Sequence, residues 1–259
     1  MHEELIRRLA DRSATVAVIG QGYVGLSVGL AAATAGLQVV GIDLHADLVA
    51  ALRAGRLVVP GVRADAFETG IATGRMDFDT DAGRVAGADV ILICVPTPVQ
   101  DHRPDLSAVE SAGAAAGEHL SRGALVVLES TTYPGTTERV LAPHLETGGL
   151  TAGRDFMLAY SPERIDPGNE KFGFSDVPRV VGGMDEGSTR VATAFYALLV
   201  DVVHPVSSCR AAEMAKLLEN TYRMVNIALV NELAMVCHDQ GLSPWEVIDA
   251  AASKPFGFA

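Results

Sequence analysis

The stretch Val16-Ala17-Val18-Ile19-Gly20-Gln21-Gly22-Tyr23-Val24-Gly25-Leu26 decides the fold. Four apolar residues run into a G-x-G-x-x-G match, and an apolar, alanine-rich segment follows as far as Gly36. That is the strand, tight turn and helix in which a dinucleotide-binding fingerprint has meaning. Gly20 is expected to make the turn, Gly22 to let a pyrophosphate approach the backbone, and Gly25 to let the helix pack close on its strand. Amides and the positive dipole end at the helix start then receive the phosphates, with Gln21, Tyr23 and Val24 completing the loop. The match alone is a weak signal, and its neighbourhood strengthens it. A second apolar strand, Gln38–Ile42, ends in Asp43, which lies 18 residues past Gly25 (43 − 25). This is close to the spacing of the acid that binds a ribose 2′-hydroxyl. Leu44 and His45 follow, with no Arg to take a 2′-phosphate, so NAD is favoured over NADP.

Outward from this unit, strands and helices keep alternating. Residues 46–54 read as a helix closed by Gly55, residues 56–64 as a loop, and Met76–Asp79 as a short strand. Residues 89–95 are almost wholly apolar, as in a strand covered on both faces, and end in Val95-Pro96-Thr97-Pro98, which must leave the sheet. A helix over 106–120 leads to Leu125–Leu128 and the hydroxyl-rich Glu129-Ser130-Thr131-Thr132. A helix from about Thr136 to Leu145 follows. Further strands at 156–160, 179–182 and 202–206, with a helix over 187–199, complete a doubly wound, Rossmann-type α/β domain over 1–206. From 208 to 240 there is neither Pro nor Gly, so one long helix is expected, ended by Gly241. Ser243-Pro244-Trp245-Glu246 then starts another. Residues 207–259 are expected to form a helical linker and dimerisation segment. Leu217, Leu218, Val225, Ile227, Leu229, Val230 and Leu233 give the long helix more apolar surface than one contact covers.

The 259 residues carry 49% hydrophobic and 20% charged residues, an ordinary globular balance. A formal charge of −12 leaves no basic face for nucleic acid. Met1 to Leu9 has mixed charge and no long apolar core, so neither a signal peptide nor a membrane span is expected, and a cytoplasmic location is. Cys94, Cys209 and Cys237 are widely separated and the seven histidines are scattered, so no disulfide framework or metal site is read. Lys216 and Asn220 share a helix face, with Arg223 a turn further on. A cation and an amide there suit the oxygen of a reacting alcohol, although such pairs are also common on solvated helices.

Six collinear motifs carry a resemblance. Gly20-Gln21-Gly22-Tyr23-Val24-Gly25, Val95-Pro96-Thr97-Pro98, Ser130-Thr131, Ser161-Pro162-Glu163-Arg164, Ala212-Glu213-Met214-Ala215-Lys216-Leu217 and Glu219-Asn220-Thr221-Tyr222-Arg223 together resemble the UDP-glucose/GDP-mannose dehydrogenase family. The continuation Ile165-Asp166-Pro167-Gly168-Asn169 looks more like the branch acting on UDP-N-acetylhexosamines. The resemblance implies oxidation of the C6 alcohol of a UDP-sugar to a uronic acid, in two hydride transfers to NAD⁺, through an intermediate held on a cysteine. It implies that Thr97 and Thr131 line the cofactor and reaction site, with Thr131 helping to hold a water. Glu163 would be the acid/base partner, and Lys216 and Asn220 would stabilise the oxyanion. In the family, the segment resembling Lys254-Pro255-Phe256-Gly257-Phe258 precedes the nucleophilic cysteine and a second, UDP-sugar-binding domain. This sequence ends at Ala259, so alone it is expected to bind NAD and to dimerise with little turnover. Two alternatives stay open: a non-catalytic NAD-binding and oligomerisation module, and a dehydrogenase of the β-hydroxyacid or 6-phosphogluconate type.

Overall fold

A computed structural model of the chain describes residues 1–164 and 173–256. The first half comprises α1 (His2–Ala10), β1 (Thr15–Ile19), α2 (Tyr23–Thr34), β2 (Gln38–Ile42), α3 (Ala46–Arg53), α4 (Ala64–Ala72) and β3 (Met76–Asp79). Next come β4 (Val90–Ile93), an antiparallel ribbon of β5 (Val99–Gln100) and β6 (Arg103–Pro104), α5 (Ser107–Gly117) and β7 (Leu125–Leu128). A π-helical turn (Thr137–Leu141) runs into α6 (Ala142–Leu145), followed by β8 (Met157–Tyr160), β9 (Arg179–Gly183), α7 (Glu186–Tyr196) and β10 (Val203–Val206). The helices α8 (Cys209–Asp239) and α9 (Pro244–Ala252) complete the described chain.

Apart from the ribbon, the described strands form one sheet in the order β10-β9-β8-β7-β4-β1-β2-β3. Growth in one direction from β1 and in the other from β4 puts the topological switch between these two neighbours, where an α/β sheet opens a crevice beyond its strand ends. Pairing is parallel except between β8 and β9, which run antiparallel with Ala159 opposite Gly183 and Tyr160 opposite Gly182. β9 and β10 are parallel to each other.

The central strands are apolar at every position because both faces are covered. Val90 and Leu92 point into the layer built with α1, α2 and α7, while Ile91 and Ile93 point into the layer built with α5 and α6. All four are fully buried. Each such side chain contributes about 1.5–3 kcal/mol of transfer free energy. A third cluster, with Leu26, Leu30, Leu52, Phe67 and Phe78, packs α3 and α4 on the outer end of the sheet. The α4 helix falls between the loop and the strand read from the sequence. It starts without a side-chain cap, so no N-cap residue announces it.

The chain divides into two compact units, 1–216 and 217–259, with the division inside α8. In the second unit Ser243 caps α9, its hydroxyl accepting from the Glu246 N–H, and Pro244 occupies the first turn. On α8, Leu218, Val225, Ile227 and Leu229 are exposed. No described helix is long and apolar enough to cross a membrane.

The opening turn depends on two glycines. Gly20 has φ +93°, a left-handed conformation, and a Cβ there would lie 2.6 Å from the Cys94 carbonyl oxygen. A Cβ on Gly25 would lie 1.8 Å from the Gly20 carbonyl oxygen, a backbone atom with no freedom to move aside. Gly25→Ala is therefore expected to destabilise the domain by about 1–3 kcal/mol in denaturant titration, as for other overpacked cores. Native stability in this variant would contradict the packing.

Candidate active site

Five strand ends bring the chemistry to one edge of the sheet. Beyond β1, the 20–25 turn leads into α2 with Gly22 as its N-cap residue, and no side chain caps the helix amides. Nothing lies within 4 Å of where a Cβ of Gly22 would be, so the backbone there is open to a ligand. This geometry fits a dinucleotide pyrophosphate: an uncapped helix start, an open N-cap glycine and a turn that only glycines permit. Gln21 points the other way and is fully buried, its amide donating to the Val18 carbonyl at 2.9 Å.

Asp43 closes the cofactor side from the end of β2. Its Oδ2 accepts from the Gln21 N–H at 2.8 Å, and its Oδ1 accepts from the His45 N–H at 3.0 Å. The His45 ring nitrogen Nδ1 lies 2.8 Å from the same Oδ1. The predicted ribose acid is thus fixed to the glycine turn itself.

Thr97 and Thr131 meet beyond β4 and β7. The Thr97 hydroxyl donates to the Thr131 carbonyl at 2.7 Å, and the Ser130 hydroxyl donates to the Val95 carbonyl at 2.7 Å. The two exits are therefore stitched together, with Thr131 exposed. Beyond β8, Glu163 is 7% exposed, and the Lys216 ammonium donates to its backbone carbonyl. Lys216 reaches this point because Glu213, one turn earlier on α8, is wholly buried against the loop after β7. Its carboxylate accepts from the Gly135 N–H at 2.5 Å, the Thr137 N–H at 2.9 Å and the Thr137 hydroxyl at 2.7 Å. Burial nonetheless pushes the Glu213 carboxyl above its usual range, against those hydrogen bonds. Asn220 is exposed on the same helix, in the second unit. The stretch 165–169 lies outside the described residues.

Beneath this edge lies a charged group that the residue pattern does not announce. Arg179, at the start of β9, donates to Glu163 Oε2 at 2.7 Å and to Glu129 Oε2 at 3.3 Å. Glu129 Oε1 accepts from the Tyr196 hydroxyl at 2.6 Å. Burial works against the guanidinium charge, and the carboxylates of Glu163 and Glu129 outweigh it. Glu129 is pushed up to about 6 by burial, which exceeds the pull of Arg179, and the charge of Glu163 adds to the rise. The signal available in the sequence is a lone charge at the margin of an apolar run, Glu129 after Leu128 and Arg179 before Val180. The pairing across 50 residues is not legible there.

The described cysteines are all buried and free of disulfides. Burial pushes the Cys94 and Cys209 thiols up, and for Cys94 the Glu129 carboxylate adds to the effect. Neither has the thiolate character of a nucleophile. Among the described residues no cluster of three or more His, Cys, Asp or Glu is placed to hold a metal.

With this geometry in view, comparison with known proteins is decisive. The NAD-binding domain of the UDP-glucose/GDP-mannose dehydrogenase family matches residues 14–200, and that family's central domain matches 210–259. The chain belongs to the UDP-glucose/GDP-mannose dehydrogenase family. It is similar to the UDP-N-acetyl-D-mannosamine dehydrogenase of Pyrococcus horikoshii, with 35% identity over 93% of this chain and 58% of the relative. The UDP-N-acetyl-D-glucosamine 6-dehydrogenase of Pseudomonas aeruginosa is 36% identical over 92% of this chain and 56% of its own length. The solved structure of the P. horikoshii UDP-D-ManNAc dehydrogenase superposes with a TM-score of 0.87 at 34% identity, covering 95% of this chain and 59% of that one. The chain thus spans somewhat over half the length of these relatives. Its NAD-binding domain, Rossmann-type fold and oxidoreductase family are those expected from the six motifs.

The Glu129 environment has a measurable consequence. Its folded-state midpoint, about 6, lies above the ordinary value of 4.5, so the folded protein holds the extra proton. The resulting stability is full at pH values below the ordinary midpoint and is lost as pH rises through about 6. Glu129→Gln has no proton to take up. Relative to that variant, the native protein is expected to gain about 2 kcal/mol of unfolding free energy on acidification from neutral pH to below the ordinary carboxyl midpoint. A pH-independent difference between the two would contradict this.

Proposed function

We propose that this chain is the NAD-binding and dimerising part of an NAD-dependent UDP-sugar 6-dehydrogenase. The substrate is a UDP-hexose or UDP-N-acetylhexosamine, oxidised at C6 to the uronic acid. One observation carries the reading. A dinucleotide turn, a hydroxyl pair, a carboxylate and an ammonium come from successive strand ends and α8 to one edge of one sheet. The named relatives support the substrate class, since those described above act on UDP-N-acetylhexosamines according to their names. Because the chain spans somewhat over half of their length, the complete reaction is proposed for a protein of their extent. Residues 1–206 are assigned to cofactor binding, and 207–259 to the linker and dimer contact.

In this reading Gly20 to Gly25 and Asp43 seat the dinucleotide, and Thr97 and Thr131 line the place where it meets the sugar. NAD⁺, when bound, accepts the hydride that leaves C6, once at the alcohol and once at the aldehyde level. Lys216 supplies a positive charge to the C6 oxygen as its proton departs, and Asn220 adds a hydrogen bond to the same oxygen. Preorganised donors of this kind lower a barrier because they need not reorient as charge develops. Glu163 accepts the proton from the alcohol and later from the water that supplies the second carboxylate oxygen. Thr131 orients that water. Both protons pass to solvent, as does the third that leaves when the uronic acid ionises to its carboxylate.

Calorimetry with the 259-residue chain is expected to give NAD⁺ binding with a Kd on the order of micromolar. Asp43→Ala should weaken it about tenfold, the loss of roughly one charged hydrogen bond. Tighter binding of NADP⁺ than of NAD⁺ would overturn the cofactor assignment. In a protein of the relatives' full extent, NADH formation is expected with UDP-sugars and not with small hydroxy acids, and Lys216→Met should lower kcat by about 100-fold or more. Turnover of hydroxy acids alone would sink the reading.

The exposed apolar residues of α8 support a homodimer. Light scattering on the eluted protein should give twice the chain mass, and Leu229→Glu should return the monomer. A native monomer at micromolar concentration would overturn this part.

A further inference from the structure

Arg179 lies outside all six motifs, yet it is 1% exposed and carries a full charge. Its two terminal nitrogens are divided between two carboxylates. Nη2 donates to Glu163 Oε2 at 2.7 Å, while Nη1 donates to Glu129 Oε2 at 3.3 Å and to the Pro162 carbonyl at 3.2 Å. The Phe174 ring covers the guanidinium at 4.8 Å and the Tyr196 ring lies at 5.5 Å. The second oxygen of each carboxylate has its own donor. The Tyr196 hydroxyl serves Glu129 at 2.6 Å, and the Arg164 N–H serves Glu163 at 2.6 Å. Two buried carboxylates thus share one buried guanidinium, an arrangement whose desolvation only good geometry repays.

We propose that Arg179 is the positioning residue for Glu163, a guanidinium gripped from behind by Glu129 and Tyr196 that sets the direction in which the Glu163 carboxylate faces the reaction edge. The inference rests on the reading that Glu163 exchanges protons there. A planar fork does this where an ammonium cannot, because its donors have fixed directions. Phe174 and Tyr196 pack on the fork where it bridges the two carboxylates. Since the guanidinium is shared, each carboxylate must respond to the other's charge. The titratable groups coupled to Glu129 are Arg179, Glu163, Tyr196, Tyr160 and the buried Cys94 thiol.

Two measurements test the clamp. In the 259-residue chain labelled with ¹³C at glutamate carboxyls, the Glu129 resonance is identified by its loss in Glu129→Gln. Glu163→Gln should then lower the Glu129 midpoint by about one unit, because the repulsion disappears and Arg179 serves Glu129 alone. An unchanged midpoint would overturn the shared clamp. This measurement needs neither cofactor nor turnover, so its failure leaves the proposed reaction standing. In the active protein, Arg179→Lys should lower kcat at least tenfold with KM within about twofold, and should shift the acid limb of the pH profile. Native kcat and an unshifted profile in a folded Arg179→Lys protein would show that Glu163 needs no such positioning. Absence of turnover in the native protein, with the carboxyl coupling intact, would instead remove the reaction and keep the clamp.

Discussion

The close approach of Gly25 to the Gly20 carbonyl is the constraint on which the rest of the structure depends. Any side chain at position 25 would collide with a backbone oxygen at 1.8 Å, so α2 can begin directly over the end of β1 only because that side chain is missing. The same turn brings Gly20 against the Cys94 carbonyl at the exit of β4. The first helix start and the first two central strand ends are thereby locked into one corner. That corner is the switch point of the sheet, and every other contribution to the site is measured from it.

Charges at this edge are handled in three ways. Asp43 spends both oxygens on backbone amides and stays partly exposed at the rim. Glu163 and Glu129 are buried instead, and a single guanidinium stands between them. Removing one partner of such a group is destabilising by about 3–5 kcal/mol, since a bare charge is left in low dielectric. Glu213 is a third solution, a carboxylate that caps a loop rather than meeting a cation. It binds the start of α8 to the turn after β7, so Lys216 and Thr131 are held by one contact.

Most of the fold was legible because its signals are local. The strands are short apolar runs, the first turn is a glycine fingerprint, and α9 begins with Ser243 and Pro244 where capping chemistry puts them. Two kinds of feature were not. The α4 helix has no capping residue, and the β5–β6 ribbon is two residues on each side, too short for any periodicity. At the site, Thr97, Thr131, Glu163 and Lys216 could be named from motifs, whereas Arg179, Glu129 and Tyr196 could not. Their meaning lies in partners 16 to 67 residues away, and a lone buried charge does not say which strand supplies its counterion.

The antiparallel pairing of β8 with β9 has a bearing on where such a counterion can come from. In a wholly parallel sheet each strand offers only its last residues to the ligand edge, and its first residue lies a strand's length away on the opposite rim. β9 runs the other way, its closing residues Gly182 and Gly183 pairing with the closing residues of β8, so its opening residue Arg179 lies beyond the end of β8. Continuing the register from Tyr160 opposite Gly182 sets position 163 opposite 179, the two members of the ion pair. Reversal of β9, with β10 following it, thus gives the candidate site's rim a residue from a strand's beginning. It allows polar chemistry to be supplied there without lengthening any loop.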